Sequence, residues 1–420
     1  MQDALKESEY HDARPTKTLL PILAACGVSH LLNDTFQSLI PAAFPLLKHN
    51  LALTFFQVGL ISAVFQFSSS IFQPIIGWFL DKRPFPYALP LGTVSTLLGI
   101  VLLSRSGSFP LVLCSVVFIG MGSAVLHPEA SRLVYWAAGN RYGFAQSVFQ
   151  VGGNIGSSLG PLIAAVAMTH QDDIIWFALL ALLAVFWNIP LSRWYAKKLK
   201  ENKRTQENKK MENRKTGEIA SLSRYKIYFS VFILLVLVFS KNLYTCSLHN
   251  FLTFYLMEKF HISIQQSQMF LFAFLFASAA GTMAGGPIGD RFGRKWVIWF
   301  SILGAAPFTL ALPYASLLGE TAGLWATCLL SMTAGAVMSS AFPAILIYAQ
   351  ELMPGKVGTV GGLFFGFSFG AGAIASSLLG GLADVGGIGF VYNICAFMPL
   401  IGLMTWFLPD EYFQKTKNIS

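Results

Sequence analysis

The sequence has little charge. Only 12% of its 420 residues are Asp, Glu, Lys or Arg, against about 25% in an ordinary soluble domain. Hydrophobic residues make up 54% of the chain, and the mean hydropathy is +0.58. A chain of this composition could not cover its apolar surface in water, so the composition excludes an ordinary soluble protein and indicates that lipid is the solvent.

The sequence also lacks the motifs of common enzymes and metal sites. Its five cysteines stand singly within apolar stretches, without the paired spacings of a metal or redox site. No P-loop, nucleophile elbow or HExxH motif is present. We therefore expect reduced packing cysteines, no metal, no cofactor and no covalent catalysis. Without an apparatus for nucleotide hydrolysis, any transport would draw on an ion gradient, and we expect the proton gradient.

The positions of the basic residues explain the net charge of +9. The basic residues lie in short loops between apolar stretches and in one central loop, which is typical of membrane orientation and argues against a nucleic-acid partner. If both termini are cytoplasmic, all but four of the 29 Lys and Arg residues lie on the cytoplasmic side. The exceptions are Lys48, Arg105, Lys241 and Lys259. We therefore predict cytoplasmic termini.

Apolar stretches of about 20 residues recur along the chain, each long enough to cross roughly 30 Å of hydrocarbon as a helix. The hydropathy pattern predicts an all-α membrane protein with twelve transmembrane helices. Their predicted spans are 19–47, 54–80, 87–104, 110–134, 142–168, 174–195, 226–256, 264–289, 296–315, 322–349, 358–382 and 388–408.

The chain contains an internal repeat with an offset of about 209–215 residues, in which Asp81 and Lys82 match Asp290 and Arg291. The repeat predicts two pseudo-symmetric six-helix bundles, 1–195 and 226–420. They are joined by 196–225, part of a segment in which eleven Lys and Arg residues accompany four Glu residues through 226. We interpret it as a flexible cytoplasmic linker; binding to anionic lipid is the alternative.

The second half of the repeat carries Gly286-x-x-x-Asp290-Arg291-x-Gly293-Arg294-Lys295. This segment resembles the loop between the second and third helices of a half in the major facilitator superfamily. Its aspartate can face the N-terminus of a helix, where carboxylates are favoured. We predict gating contacts, or a latch, at Asp81, Lys82, Asp290, Arg291 and Arg294. The first copy has Pro84-Phe85-Pro86 where glycine and basic residues are expected, so we expect its latch to be weaker.

Four polar residues on the first span lie on one helix face near the membrane midplane, at i, i+3, i+4 and i+7. They are His30, Asn33, Asp34 and Gln37. An ionisable group at this depth is costly without water or a partner, so the stripe predicts a proton or substrate site. We assign His30 and Asp34 to proton coupling, and Asn33 and Gln37 to substrate binding. A buried structural hydrogen-bond network is the alternative.

A lysine stands near the centre of the seventh span. Lys241 either pairs with a carboxylate such as Asp34 or offers its charge to an anionic substrate, and both readings stay open. Tyr244 lies nearly one turn further along and is a second substrate-binding candidate.

The segment Leu126-His127-Pro128-Glu129-Ala130-Ser131-Arg132 ends the fourth predicted span. Pro128 breaks the local hydrogen-bond ladder, and Glu129 can pair with Arg132 across one turn. The segment predicts either a helix end with an interfacial ion pair, or a gate or proton relay. In the second case His127 and Glu129 are proton-coupling candidates, and Arg132 is a substrate contact.

Two glycine-rich spans offer further candidates. On the fifth span the interleaved glycines permit close packing of helices. The amides Gln150 and Asn154 would line a cavity beside this helix. On the eleventh span we select Phe365, within a run of phenylalanines and glycines, as a possible wall of the substrate pocket.

Longer segments resemble one family within the superfamily, the fosmidomycin resistance proteins of bacteria. They are Ser29–Asp34, His127–Arg132, Gln146–Asn154, Tyr348–Leu352 and Gly361–Phe367. The resemblance covers nearly all of the spans. It implies the major facilitator fold, location in the bacterial inner membrane, and proton-coupled export of a phosphonate antibiotic. A doubly charged anion would suit Lys241, His127 and Arg132.

Three functions follow as hypotheses. The first is a proton/drug antiporter for fosmidomycin-like or other small amphiphiles, working by alternating access as a monomer. The second is a carrier of a metabolite such as an organic phosphate or sugar. The third is a non-transporting membrane sensor, which the charged midplane residues and the lack of a signalling domain disfavour.

Overall fold

The computed structural model describes residues 17–168, 170–212 and 223–409, and these residues are almost entirely helical. The α-helices are α1 Leu20–Asn50, α2 Phe55–Lys82, α3 Ala88–Ser104, α4 Phe109–Ala137, α5 Tyr142–Ala167, α6 Ile175–Glu212, α7 Arg224–Phe260, α8 Ile264–Phe292, α9 Arg294–Ile302, α10 Ala306–Ala311, α11 Glu320–Ser339, α12 Ala341–Leu352 and α13 Val357–Cys395. Short 3₁₀ segments occupy Gln171–Ile174, Leu303–Ala305, Leu312–Leu318 and Met398–Phe407.

Length and composition show how many helices can cross a membrane. Within the described part of the chain, eight helical segments meet both requirements, and α3 is a shorter apolar helix. The helices follow the twelve predicted spans in order, because each apolar stretch satisfies its backbone groups internally. The predicted all-α membrane architecture is confirmed.

The helical segments of the second half depart from the predicted spans. The ninth span is not one helix: α9 and α10 alternate with 3₁₀ segments, and prolines stand at the starts of α10 and of Leu312–Leu318. Proline favours such starts because it lacks the N–H that an interior position needs. In contrast, α13 runs through the predicted break between the last two spans, with non-helical backbone only at Gly387 (φ 76°).

The start of the predicted linker is helical. Helix α6 continues to Glu212, so the expectation of a flexible segment from residue 196 is wrong for 196–212. This stretch is rich in Lys, Glu, Gln and Arg, which are good helix formers. Lys198 also pairs with Glu201 at 2.7 Å on one helix face. Residues 213–222 lie outside the described part.

The chain divides into two compact units. The first contains the described residues up to 212 and Gln350–Phe367; the second contains Ser223–Ala349 and the described residues from Ser368. In the first unit α5 presents Gly152 and Gly156 to the backbone of α1, where a Cβ would overlap the carbonyls of Gly27 and Leu31. This close packing sets α1 beside α5.

The second unit has its own core. Apolar and aromatic side chains of α7 pack there with residues of α8, α11 and α13. Leu248, Leu252 and Leu256 repeat at a spacing of four and are at most 1% exposed, so this stripe of α7 faces the interior of the unit.

Candidate functional site

The first unit brings two histidines and an aspartate together in its interior. Helix α1 supplies His30 and Asp34 one turn apart, and α4 supplies His127. His30 Nε2 lies 3.4 Å from Asp34 Oδ2, and His127 Nε2 lies 3.9 Å from Asp34 Oδ1. All three residues are buried, and their ligating atoms lie within 4.8 Å of one another. We call His30, Asp34 and His127 the acceptor cluster.

Backbone carbonyls determine which nitrogen of each ring carries a proton. His30 Nδ1 lies 2.8 Å from the carbonyl oxygen of Phe149, and His127 Nδ1 lies 3.0 Å from that of Ser123. A carbonyl oxygen only accepts hydrogen bonds, so each Nδ1 must donate. In a neutral ring, Nε2 then carries a lone pair. Both lone pairs approach the Asp34 carboxylate, and such acceptors need a cation between them.

Neutral donors hold Asp34 in place. Its Oδ1 accepts from Asn33 Nδ2 at 3.0 Å and from Gln37 Nε2 at 2.8 Å, while Ser157 Oγ on α5 donates to Oδ2 at 3.4 Å. The structure therefore brings the whole predicted polar stripe of α1 around one carboxylate. These donors stabilise the anionic form and orient it toward the histidines.

Aromatic rings enclose the cluster. Phe149 stacks on His30 with a centroid distance of 4.1 Å, and Phe365 lies 4.8 Å from the His127 ring and 6.0 Å from the His30 ring. We predicted Phe365 as a substrate contact; the structure places it against the two histidines, where it limits the access of water.

A glycine makes room for the cluster. A Cβ at Gly153 would lie 2.5 Å from His30 Nε2 and 2.8 Å from Asp34 Oδ2. These distances are shorter than van der Waals contact, so a side chain at this position would displace one of the groups.

A second charged constellation joins α2, α4 and the start of α13. Arg132 donates one hydrogen bond to Asp81 at 2.7 Å and another to Glu129 on its own helix. Asp81 also accepts from the backbone N–H of Gly358 at 3.0 Å and from Thr359, whose N–H and hydroxyl both lie at 2.6 Å. We call these five residues the Asp81 latch. A carboxylate at this position satisfies free N–H groups of the first turn of α13.

The structure adds detail to two expectations about this region. Helix α4 was predicted to end at 134 and continues to Ala137. Glu129 and Arg132 are buried, and Arg132 pairs with Asp81 at the end of α2, so both the ion-pair interpretation and the gate interpretation stay predictions. The first copy of the loop motif was expected to hold the weaker latch, and this ranking stays a prediction; Asp81 accepts the four hydrogen bonds described above. The proline-containing loop does not prevent this, because Asp81 precedes it on α2.

The other predicted latch residues make contacts with neighbours along the chain. Asp290 pairs with Arg294 of the next helix at 3.1 Å, and Arg294 also donates to the carbonyl of Gly289 at 3.1 Å. The exposed Lys82 lies 4.0 Å from the Trp78 ring. The exposed Arg291 lies 5.3 Å from the ring of its neighbour Phe292.

In the second unit, Lys241 is half-buried near the midpoint of α7. Its Nζ donates a long hydrogen bond to Asn242 Oδ1 at 3.4 Å and lies 5.4 Å from the Phe342 ring. Within the described part of its own unit, no carboxylate forms an ion pair with it. Tyr244, in contrast, packs in the core of the unit at 2% exposure.

The predicted amides of α5 are more exposed than the cluster. Gln150 is half-buried and the Asn154 side chain is exposed. Neither shares a hydrogen bond with the acceptor cluster in the described part of the first unit. The sequence reasoning missed the roles of Phe149, Gly153 and Ser157 beside the cluster, although Phe149 and Gly153 directly precede these amides on α5 and Ser157 lies three residues after Asn154.

Comparison with known proteins identifies the class of molecule. The family model described as Major Facilitator Superfamily matches residues 26–248 and 242–420. A crystal structure of the major facilitator transporter FucP in the outward conformation superposes with a TM-score of 0.71 at 17% identity, covering 93% of this chain and 99% of that one. The chain belongs to the Major Facilitator Superfamily and is a transporter, not an enzyme.

Two bacterial relatives are similar over nearly their full length. The fosmidomycin resistance protein of Escherichia coli (strain K12) is 52% identical over 397 residues, which cover 94% of each chain. The uncharacterised MFS-type transporter YfnC of Bacillus subtilis (strain 168) is 42% identical over 400 residues, or 95% of each chain. The resemblance to fosmidomycin resistance proteins inferred from the sequence motifs is confirmed.

Proposed function

We propose that this chain exports small phosphonate-type anions across the bacterial inner membrane in exchange for protons. The proposal includes alternating access, a monomeric transporter and cytoplasmic termini. The main observation in support of this proposal is the position and environment of Lys241. A lysine near the middle of a membrane-spanning helix costs about 2.5–3.5 kcal/mol by insertion scales, and this one has no carboxylate partner in the described part of its own unit.

An anionic solute would supply the missing partner of Lys241. Its ammonium group offers three donors, one of which already contacts Asn242 at 3.4 Å. A phosphonate offers several charged oxygens, which suit such a donor. The name of the Escherichia coli relative supports this ligand class, because fosmidomycin is a phosphonate antibiotic.

The driving force in this proposal is the proton gradient. The acceptor cluster supports the idea because it is a buried arrangement of acceptors that needs a cation. The proton-coupling candidates remain His30, Asp34, His127 and Glu129, with Asp34 preferred. The substrate-binding candidates other than Lys241 also remain proposals.

The whole-protein test is expression in a fosmidomycin-sensitive bacterium that lacks its own exporter. We expect the cells to gain resistance, and everted membrane vesicles to show proton movement on addition of fosmidomycin. If neither occurs, the export proposal fails.

The same lysine could bind an organic phosphate, so the vesicle assay needs parallel arms. Fosmidomycin, a sugar phosphate and an uncharged sugar should be supplied at equal concentration. A response to fosmidomycin supports the drug exporter, and a response to the sugar phosphate alone supports the metabolite carrier. A response to the uncharged sugar alone would contradict the role of Lys241 in both.

A further inference from the structure

We infer that His30, His127 and Asp34 form a binding site for a divalent transition-metal ion of the Zn²⁺ class. The proposed ligand atoms are a carboxylate oxygen of Asp34 and the two Nε2 nitrogens, which lie 3.4 and 3.9 Å from the Asp34 oxygens. Each residue offers one ligand atom, and these atoms lie within 4.8 Å of one another. Two imidazoles and one carboxylate are a donor set that zinc accepts, with an open fourth position for water or another ligand. The inference does not depend on the identity of the transported solute.

The distances suit a metal after small side-chain adjustments. Two ligand atoms about 2.1 Å from a tetrahedral metal lie about 3.4 Å apart. His30 Nε2 and Asp34 Oδ2 are already 3.4 Å apart, and His127 Nε2 is 3.9 Å from Asp34 Oδ1. Rotation of the side chains that moves each ligand atom by up to about 1 Å would bring all three into the range of one metal ion.

The surroundings resemble those of a metal site. A histidine that binds a metal usually donates its other ring N–H to a carbonyl or carboxylate, which sets the tautomer and the ring orientation. Here, the carbonyls of Phe149 and Ser123 receive these hydrogen bonds from His30 and His127. Asn33 and Gln37 perform the corresponding task for Asp34.

The burial of the three ligands favours a metal at this position. The side chains of His30 and His127 are 3% and 0% exposed, whereas that of Asp34 is 9% exposed. A divalent ion bound to two neutral rings and one anion carries a smaller net charge into the interior than the free ion does. Phe149 and Phe365 limit the access of water that would compete for the ion.

A bound metal would occupy the space between the acceptors that any other cation needs. We expect Zn²⁺ to compete with the coupling cation and therefore to inhibit transport. Inhibition of transport would follow from Zn²⁺ binding, but the binding itself can be measured without a transport assay.

The first experiment measures Zn²⁺ binding to the purified full-length chain in detergent by isothermal titration calorimetry, with no substrate. We expect one ion per chain, and at least a tenfold loss of affinity in His30→Gln and in His127→Gln. Two matched variants keep these ligands: His249→Gln on α7, and His170→Gln beside Asp173 at the surface. Both should bind Zn²⁺ like the wild type.

Several outcomes would overturn the inference: no binding by the wild type, unchanged affinity in both ligand variants, or loss of binding only in His170→Gln. Zinc-edge X-ray absorption of the wild type needs no variant to fold, and it should show two imidazoles among the nearest neighbours. A spectrum without imidazole would also reject the site. Because neither measurement involves drug or proton movement, their failure is distinguishable from failure of the proposed export function.

Discussion

Thr359 and Asp81 form the tightest polar contact at the start of α13: the backbone N–H and the hydroxyl of Thr359 both lie 2.6 Å from one oxygen of Asp81. Arg132 holds the other oxygen at 2.7 Å. A single carboxylate thus satisfies a helix terminus and a guanidinium at the same time. Both interactions depend on its charge.

Asp81→Asn should lower both stability and transport. The amide keeps one acceptor oxygen but loses the charge, and a hydrogen bond to a charged group contributes about 1.5–3 kcal/mol. We expect a lower thermal unfolding midpoint in detergent and slower transport in vesicles. Asp172→Asn is the matched control, because that side chain is 74% exposed. Equal midpoints for Asp81→Asn and the wild type would show that the latch does not stabilise the fold.

Lys241→Ala should abolish transport by removing the charge proposed to bind the anion. Loss of a charged hydrogen bond of about 1.5–3 kcal/mol corresponds to roughly a 10- to 100-fold weaker affinity for the phosphonate. Lys241→Arg keeps the charge and should retain part of the binding. Lys259→Ala, at the exposed end of the same helix, serves as the control. Unchanged transport in Lys241→Ala would remove Lys241 from the mechanism.

Asp34→Asn tests the coupling. The amide can still accept a hydrogen bond but no longer carries the negative charge that attracts a cation to the acceptor cluster. The variant should bind fosmidomycin like the wild type, yet show no dependence on an imposed pH gradient in everted vesicles. Full gradient-driven export by this variant would place the coupling site elsewhere, with Glu129 as the next candidate.

Gly153→Ala tests whether the cluster needs its present geometry. The new methyl group would lie 2.5 Å from His30 Nε2, and overpacking of this kind costs about 1–3 kcal/mol. We expect a folded protein whose transport is reduced by roughly tenfold or more, since small displacements of functional groups have large effects on rate. Gly107→Ala is the control, because a Cβ there meets no atom within 4 Å. Wild-type transport by Gly153→Ala would indicate that the cluster tolerates displacement.

The sequence predicts the features that depend on local periodicity. Lipid requires long helices, so hydropathy locates the spans. The spacing of His30, Asn33, Asp34 and Gln37 predicts one helix face, and in the structure the other three residues surround Asp34. Each of these predictions depends only on the periodicity and length of a single helix.

Features that depend on tertiary packing could not be predicted from local sequence patterns. His127 joins His30 and Asp34 because α4 packs close to α1, and no local pattern encodes that contact. Pro128 removes one N–H from the hydrogen-bond ladder, and α4 continues through it to Ala137. Asp81 gains its role from the start of α13, which lies far away in the sequence.

The groups that set the tautomers of both histidines in the acceptor cluster belong to the backbone. The oxygens that fix His30 and His127 are main-chain carbonyls of Phe149 and Ser123, and every amino acid carries the same carbonyl. A saturation mutagenesis map would therefore detect the three ligating residues while missing these two hydrogen bonds. Only an altered backbone, such as an ester in place of an amide, would expose their contribution.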